Sequence, residues 1–189
     1  MTVVQTCALP IYFIDNDDYF GRKHVFTDKE GKFYDDNDER AIFFCKGAIE
    51  TVRKLGWSPD VVHCVDWMTG LVPMYLKTTY KDDPIFKNSK VLFSVFNNEF
   101  THVFDKETFF DKIKLADTES DMLKSIETAD FNGFIKIGME YADKVIKGEE
   151  KMSKNITELF NEFPEKTIDY IKSETSSTKF QELYAELAG

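Results

Sequence analysis

The chain has 189 residues, 42% of them hydrophobic and 15% aromatic, which suits one domain with an ordinary core, or one domain and a short appendage. Its 24 basic residues stand against 34 acidic ones for a net charge of −10, and the lysines are dispersed among acids, which excludes a basic nucleic-acid face and disfavours an anionic membrane surface. Three cysteines (Cys7, Cys45 and Cys64) without CxxC spacing argue against a disulfide framework or a zinc site and place the chain in a reducing cytoplasm, and no apolar run approaches the ~20 residues that span a bilayer.

Met1–Ile11 is mildly apolar but has no basic start, so it does not read as a secretory signal. It looks like a non-native leader ahead of Tyr12; the other reading is a genuine first strand. Leu9–Asp15 is an apolar run that stops at four polar residues, the pattern of a buried strand entering a loop. Tyr19–Asp38, rich in Gly, Asp and Lys, reads as a long loop. Asn37 or Asp38 then caps a helix through Leu55, with Ile42, Cys45, Ile49 and Val52 at helical spacing and Gly56 as its stop.

Asp60–Val65 is a short, almost wholly apolar strand of the kind found inside parallel sheets. Thr69–Tyr80 reads as a helix with Pro73 in its first turn, and Lys90–Phe96 as a third strand. Alternation of strands and helices with short links predicts an α/β fold: an open, Rossmann-like parallel sheet flanked by helices. Short helices are expected within Glu99–Thr128. Asn132–Ala142 is a further helix, Lys144–Ile146 a final short strand and Glu149–Phe160 another helix. Pro164 opens a last helical region, in which Ser173–Thr178 is a flexible link. The terminal helix Lys179–Leu187 carries Phe180, Leu183, Tyr184 and Leu187 on one face. Residues 12–160 thus form the main domain and 161–189 a helical appendage.

Ligands of open α/β sheets bind outside the carboxyl ends of the strands. The strand Asp60–Val65 delivers His63, Asp66, Trp67, Met68 and Thr69 toward that edge, and Gly70 opens a helix whose N–H groups suit an anionic or hydroxyl-rich ligand. Trp67 has the side chain that stacks on a sugar ring, and equally one that packs between strand and helix. His63, inside an apolar strand, reads first as a hydrogen-bonded core histidine and second as a base. Asp66 is a ligand-facing carboxylate or the cap of the next helix. Asn97, after the third strand, either bonds a sugar hydroxyl or closes a turn. Asp15–Asp18 reads as a solvated turn rather than a cation site. No Gly-rich phosphate loop, HExxH or GxSxG occurs, and His24 and His102 lie in loops without suggestive neighbours. The Phe-rich stretch Phe104–Phe110 covers either the core or an interface.

Five ordered blocks carry a resemblance. Tyr12–Phe20 (YFIDNDDYF), Tyr34–Phe44 (YDDNDERAIFF), Pro59–Lys77 (PDVVHCVDWMTGLVPMYLK), Val91–Asn97 (VLFSVFN) and Phe131–Val145 (FNGFIKIGMEYADKV) are similar, in order and spacing, to the N-terminal catalytic domain of glycogen/starch synthases. The chain looks most like the short, single-domain synthase-like proteins of Bacteroidetes. The resemblance implies the acceptor-side half of a GT-B glycosyltransferase, in which a second domain binds ADP-glucose and glucose passes to an α-1,4-glucan with retention. It implies no resident cofactor, since ADP-glucose is the donor substrate.

The departures matter as much. The family's KxGGL loop is not found here, and the residues after the matched blocks are too few to hold the donor domain. Val65 and Met68 stand where the family's HaHDWH motif has two further histidines, Phe96 replaces the histidine of its HN pair, and Lys147–Lys151 (KGEEK) replaces VSPtY. Val, Met and Phe neither carry a proton nor hydrogen-bond a hydroxyl. The resemblance therefore implies a glucosyltransferase domain whose own activity is absent or weak, or a non-catalytic partner that binds glucan or a full-length synthase. No catalytic residue is assigned; His63, Asp66, Trp67, Met68, Thr69 and Asn97 are the substrate-binding candidates. The closing FQELYAEL is similar to the terminal helix with which full-length synthases return to their first domain.

Overall fold

The computed structural model describes residues 11–113, 128–172 and 176–189. Four strands, β1 (Val61–Val65), β2 (Lys90–Val95), β3 (Lys144–Lys147) and β4 (Thr167–Ile168), form one parallel sheet in the order β1-β2-β3-β4. The expected α/β parallel sheet is present, and each strand reaches its neighbour through a helical connection, as parallel pairing requires.

Helix α1 (Asp17–Phe20) starts at Asn16, whose side chain accepts the Tyr19 N–H. Helix α2 (Asn37–Leu55) places Asp38 and Glu39 in its first turn and Arg53 and Lys54 in its last, complementing its dipole at both ends. Gly56, at φ 66°, lets its N–H close on the Arg53 carbonyl and stops the helix. The cap position belongs to Asp36 rather than Asn37 or Asp38. Asn37 and Asp38 lie inside the first turn, and the Asn37 amide instead donates to the Phe26 carbonyl.

Residues paired in register share a side of the sheet. Cys64, Phe93 and Val145 face one way, toward α2, α3 (Val72–Lys77) and α5 (Phe131–Tyr141). Helix α5 lies so close to β2 that a Cβ on Gly138 would sit 2.3 Å from the Phe93 ring. The other side carries His63, Leu92, Ser94 and Ile146, and helix α7 (Ser176–Ala188) rests on it where it meets β1. The remaining helices are α4 (Lys106–Ile113) and α6 (Lys154–Glu162). Among the described residues no helix is long and apolar enough to cross a membrane.

Several sequence expectations are corrected. Residues 11–15, the described part of the anticipated strand Leu9–Asp15, form no strand. Ile11 and Phe13 are 80% and 90% exposed, and no described segment pairs with this run. An apolar run without a hydrogen-bonding neighbour gains nothing from being extended. The helix expected over Thr69–Tyr80 splits into a 3₁₀ turn, Trp67–Thr69, and the six-residue α3. Between them Gly70 lies where any Cβ would meet the Phe134 carbonyl oxygen at 2.7 Å.

The helix expected from Glu149 begins only at Lys154, because Ser153 is its cap and Glu149 is engaged elsewhere. Pro164 opens a turn and then β4, not a helix: the β-branched pair Thr167 and Ile168 takes the free edge of β3. The terminal helix begins at Ser176, three residues early, and residues 173–175 of the anticipated link, like residues 1–10 and 114–127, lie outside the described residues.

Candidate functional site

The carboxyl ends of β1 and β2 lie side by side, and the Asp66 N–H still donates to the Ser94 carbonyl at 2.8 Å. Chain direction then reverses sharply at Asp66, which holds φ 62° and ψ 179°. That conformation belongs almost exclusively to glycine and costs an aspartate about 1–3 kcal/mol. Its carboxylate accepts the Asn98 side-chain N–H at 2.5 Å through Oδ2, while Oδ1 is buried and is the single buried side-chain polar atom among the described residues without a hydrogen-bond partner. Burial pushes the Asp66 carboxyl above its ordinary range and Glu99 adds to this, against the hydrogen bond from Asn98; the Trp67 and Phe96 amides lie close enough to pull it down without reaching hydrogen-bond geometry. Asp66 is not a side-chain helix cap; only its main-chain carbonyl receives the Thr69 N–H and hydroxyl, each at 3.0 Å.

The other candidates are placed differently. Trp67 is 2% exposed and its indole meets Phe26, Phe33, Phe100 and Phe134, so it anchors an aromatic core and presents no face to a sugar. Phe104 and Phe109 extend that same cluster, which assigns the Phe-rich stretch to the core. His63 hydrogen-bonds Tyr184 through Nδ1 and Ser94 through Nε2, both at 2.7 Å, and burial alone depresses its imidazole below the usual value. It is a half-buried histidine with both ring nitrogens partnered, held between Ser94 and α7.

Asn97 is spent in structure. Its N–H and side-chain amide donate to the two Glu149 oxygens, the amide also reaches the Lys151 carbonyl, and its oxygen accepts the Ser153 N–H, all within 2.8–2.9 Å. It ties the end of β2 to the loop after β3. Gly70 offers no free amide, since its N–H closes on the Trp67 carbonyl at 3.0 Å.

Met68 is half-buried and lines an open cavity of about 380 Å³ with Tyr12, Phe13, Phe20, Phe44 and Arg40. Thr69 is turned back onto Asp66. Sequence reasoning missed Asn98, the neighbour that holds Asp66. Nothing in the run Asn97–Glu99 shows which of two adjacent amides turns inward; the close of β2 decides it. Phe96 lays its ring on Gly148, where a Cβ would be 2.7 Å away. Cys45 and Cys64 are buried free thiols, the first pushed up to about 12 by desolvation and the second higher still. No group of three His, Cys, Asp or Glu able to hold a metal occurs among the described residues, and Asp17 and Asp18 serve the first turn of α1.

Residues 1–168 match the family model of the starch synthase catalytic domain. The chain is 36% identical over 139 residues to the glycogen synthase of Desulforudis audaxviator, covering 72% of this chain and 26% of that protein. It is 35% identical over 150 residues to the glycogen synthase of Elusimicrobium minutum, covering 78% and 30%. The chain thus spans between a quarter and a third of the length of these curated relatives. Among solved structures, the catalytic domain of Starch Synthase IV from Arabidopsis thaliana, bound to ADP and acarbose, superposes with a TM-score of 0.57 at 19% identity, covering 78% of this chain and 32% of that one.

Proposed function

The chain belongs to the family of starch synthase catalytic domains, and from that membership we propose that it is an acceptor-side, glucan-binding domain of the glucosyltransferase type whose own glucosyl transfer is absent or weak. The observation that carries this reading is Asp66. A strained backbone and a buried carboxylate oxygen without a partner are both costly, and such costs cluster where a ligand is held. The turn sits at the carboxyl edge of the sheet, where open α/β folds bind their ligands. A neutral glucan needs hydrogen-bond acceptors and no complementary charge, which suits a chain of net charge −10.

Transfer chemistry has less support. A general acid or base must titrate near the working pH and reach its proton. Around Asp66 the positions of interest are Val65, Met68 and Phe96, none of which titrates, and His63 is occupied by Ser94 and Tyr184. Asp66 itself is a carboxylate that orients a hydroxyl. The solved relative was bound to ADP and acarbose; for this chain the proposal assigns the polysaccharide side alone, with no resident cofactor and with a cytoplasmic location that suits two buried free thiols.

The test is glycogen co-sedimentation run beside an ADP-[¹⁴C]glucose incorporation assay on glycogen primer. The expected outcome is sedimentation with glycogen that Asp66→Asn abolishes, and little or no incorporation. Robust incorporation by the wild type would overturn the non-catalytic half of the proposal; no retention on glycogen would overturn the binding half.

A further inference from the structure

Helix α7 meets the sheet along a narrow seam. Phe180, Leu183, Tyr184 and Leu187 are half-buried, and no residue of the helix is fully buried. Two of these side chains converge on His63, whose ring centroid lies 5.7 Å from that of Phe180 and 5.8 Å from that of Tyr184. The Tyr184 hydroxyl stands 2.7 Å from His63 Nδ1, and on the other side of the ring the Ser94 hydroxyl stands 2.7 Å from Nε2. One imidazole thus bridges α7 to β2.

The two hydroxyls fix a direction of donation. A phenol is a stronger donor than an aliphatic hydroxyl, so a neutral ring is best served when Tyr184 donates to Nδ1 and Nε2–H donates to Ser94. Burial holds the Tyr184 phenol above its ordinary value, so it keeps its proton at neutral pH. A second ring proton undoes this arrangement. Nδ1–H would then face a hydroxyl that must turn from donor to acceptor, and a positive charge would sit where water is largely excluded.

Among the described residues nothing offsets that charge. The elements packed on the ring carry Asp60 and Asp66 at the two ends of β1, Lys90 on β2, and Lys179, Glu182 and Glu186 on α7. None of them hydrogen-bonds the ring, and burial is the single cause of its lowered pKa. Helix α2 contributes only Ala48, Ile49 and Val52 to the cavity whose wall it shares with His63.

We propose that α7 is an acid-released cover of the β1–β2 face, with His63 as its trigger: the neutral ring bridges Tyr184 to Ser94, and the protonated ring expels the helix to reach water. His63 has a lower pKa with α7 docked than when exposed, so the released state binds more protons. Docking is therefore at full strength above the ordinary imidazole value of about 6.5. It weakens as pH falls below that value, until His63 protonates in the docked state as well. The device is independent of the glucan-binding reading, because the Asp66 carboxylate is held by Asn98 and not by α7.

Hydrogen exchange of the full chain between pH 7.5 and 5.0, corrected for the intrinsic pH dependence of exchange, tests this. The expected result is that protection of the Phe180–Leu187 amides falls by about fivefold or more on acidification, while the Leu92 and Phe93 amides of β2 stay protected. His63→Gln keeps an N–H and an oxygen for the two hydroxyls but takes no proton, so its α7 protection is expected to be the same at both pH values. Tyr184→Phe is expected to lower α7 protection already at pH 7.5, and far-UV circular dichroism confirms that both variants fold. Protection of α7 that does not change with pH would overturn the proposal, as would a fall that His63→Gln reproduces or a Tyr184→Phe protein as protected as the wild type. Loss of protection in α7 and β2 together would overturn it too, by showing that acid unfolds the whole domain. Each of these outcomes can be read whether or not the chain is retained on glycogen.

Discussion

Adjacent strands end in two polar turns that solve the same problem in opposite ways. At the end of β2, Asn97 commits its main-chain N–H, its side-chain amide and its side-chain oxygen, bonding Glu149, Lys151 and Ser153. At the end of β1, Asp66 sits in a glycine-like conformation with one carboxylate oxygen buried and unmatched. A satisfied polar residue stabilises its surroundings, whereas one left strained and unmatched is retained at a cost. The contrast separates scaffold from site more sharply than residue type does, since both side chains suit a sugar hydroxyl.

The largest effect that would sharpen the contrast is expected at Asn97. Asn97→Ala removes three side-chain hydrogen bonds and leaves Glu149 Oε2 without its donor, while the main-chain N–H still holds Oε1, a loss of about 2–4 kcal/mol at roughly 1 kcal/mol per bond plus the unpaired oxygen. Urea unfolding measures it; a loss under 1 kcal/mol would mean that water replaces these contacts and that the turn is not the clamp described.

Asp66→Gly is expected to move stability the other way, raising it by about 1–2 kcal/mol through release of backbone strain, while glycogen retention is lost. A destabilised Asp66→Gly protein would erase the distinction between the two turns.

The smallest effect is in pH. The folded-state pKa of Asp66 is raised by burial, so its contribution to stability is fully present below the unfolded value of about 3.9 and is lost as pH rises through the folded value. At neutral pH the charged group is therefore a burden. The stability advantage of Asp66→Asn should be greatest at pH 7 and shrink as pH falls toward 4. Denaturation midpoints of the two proteins at both pH values read this directly, and a gap that widens on acidification would show that the carboxylate is better solvated than its burial indicates.

Much of the scaffold was legible from residue patterns. The period of Ile42, Cys45 and Ile49 marked α2 and Gly56 its end, because only a residue tolerant of φ 66° lets the Arg53 carbonyl be closed there. The apolar runs of β1, β2 and β3 were visible because a strand inside a parallel sheet has few polar positions; β2 is buried over most of its length, whereas β1 fully buries Cys64 alone. Strand β4 was not legible, since two residues form it and their partner is β3, over twenty residues back in the sequence. The split of the helix after β1 was equally hidden, because it depends on how near α5 comes to Gly70.

At the candidate site the division is similar. Sequence marked the block Pro59–Lys77 and named Asp66, but could not separate an exposed from an enclosed Trp67 or tell Asn97 from Asn98. Family kinship and the α/β order of elements are written locally, in motifs and in hydrophobic period, so the sequence alone determined them. Which polar atoms find partners and which aromatic is enclosed depend on segments distant in the chain. Only the tertiary structure decided those, because a hydrogen bond or a ring contact exists only when both partners arrive.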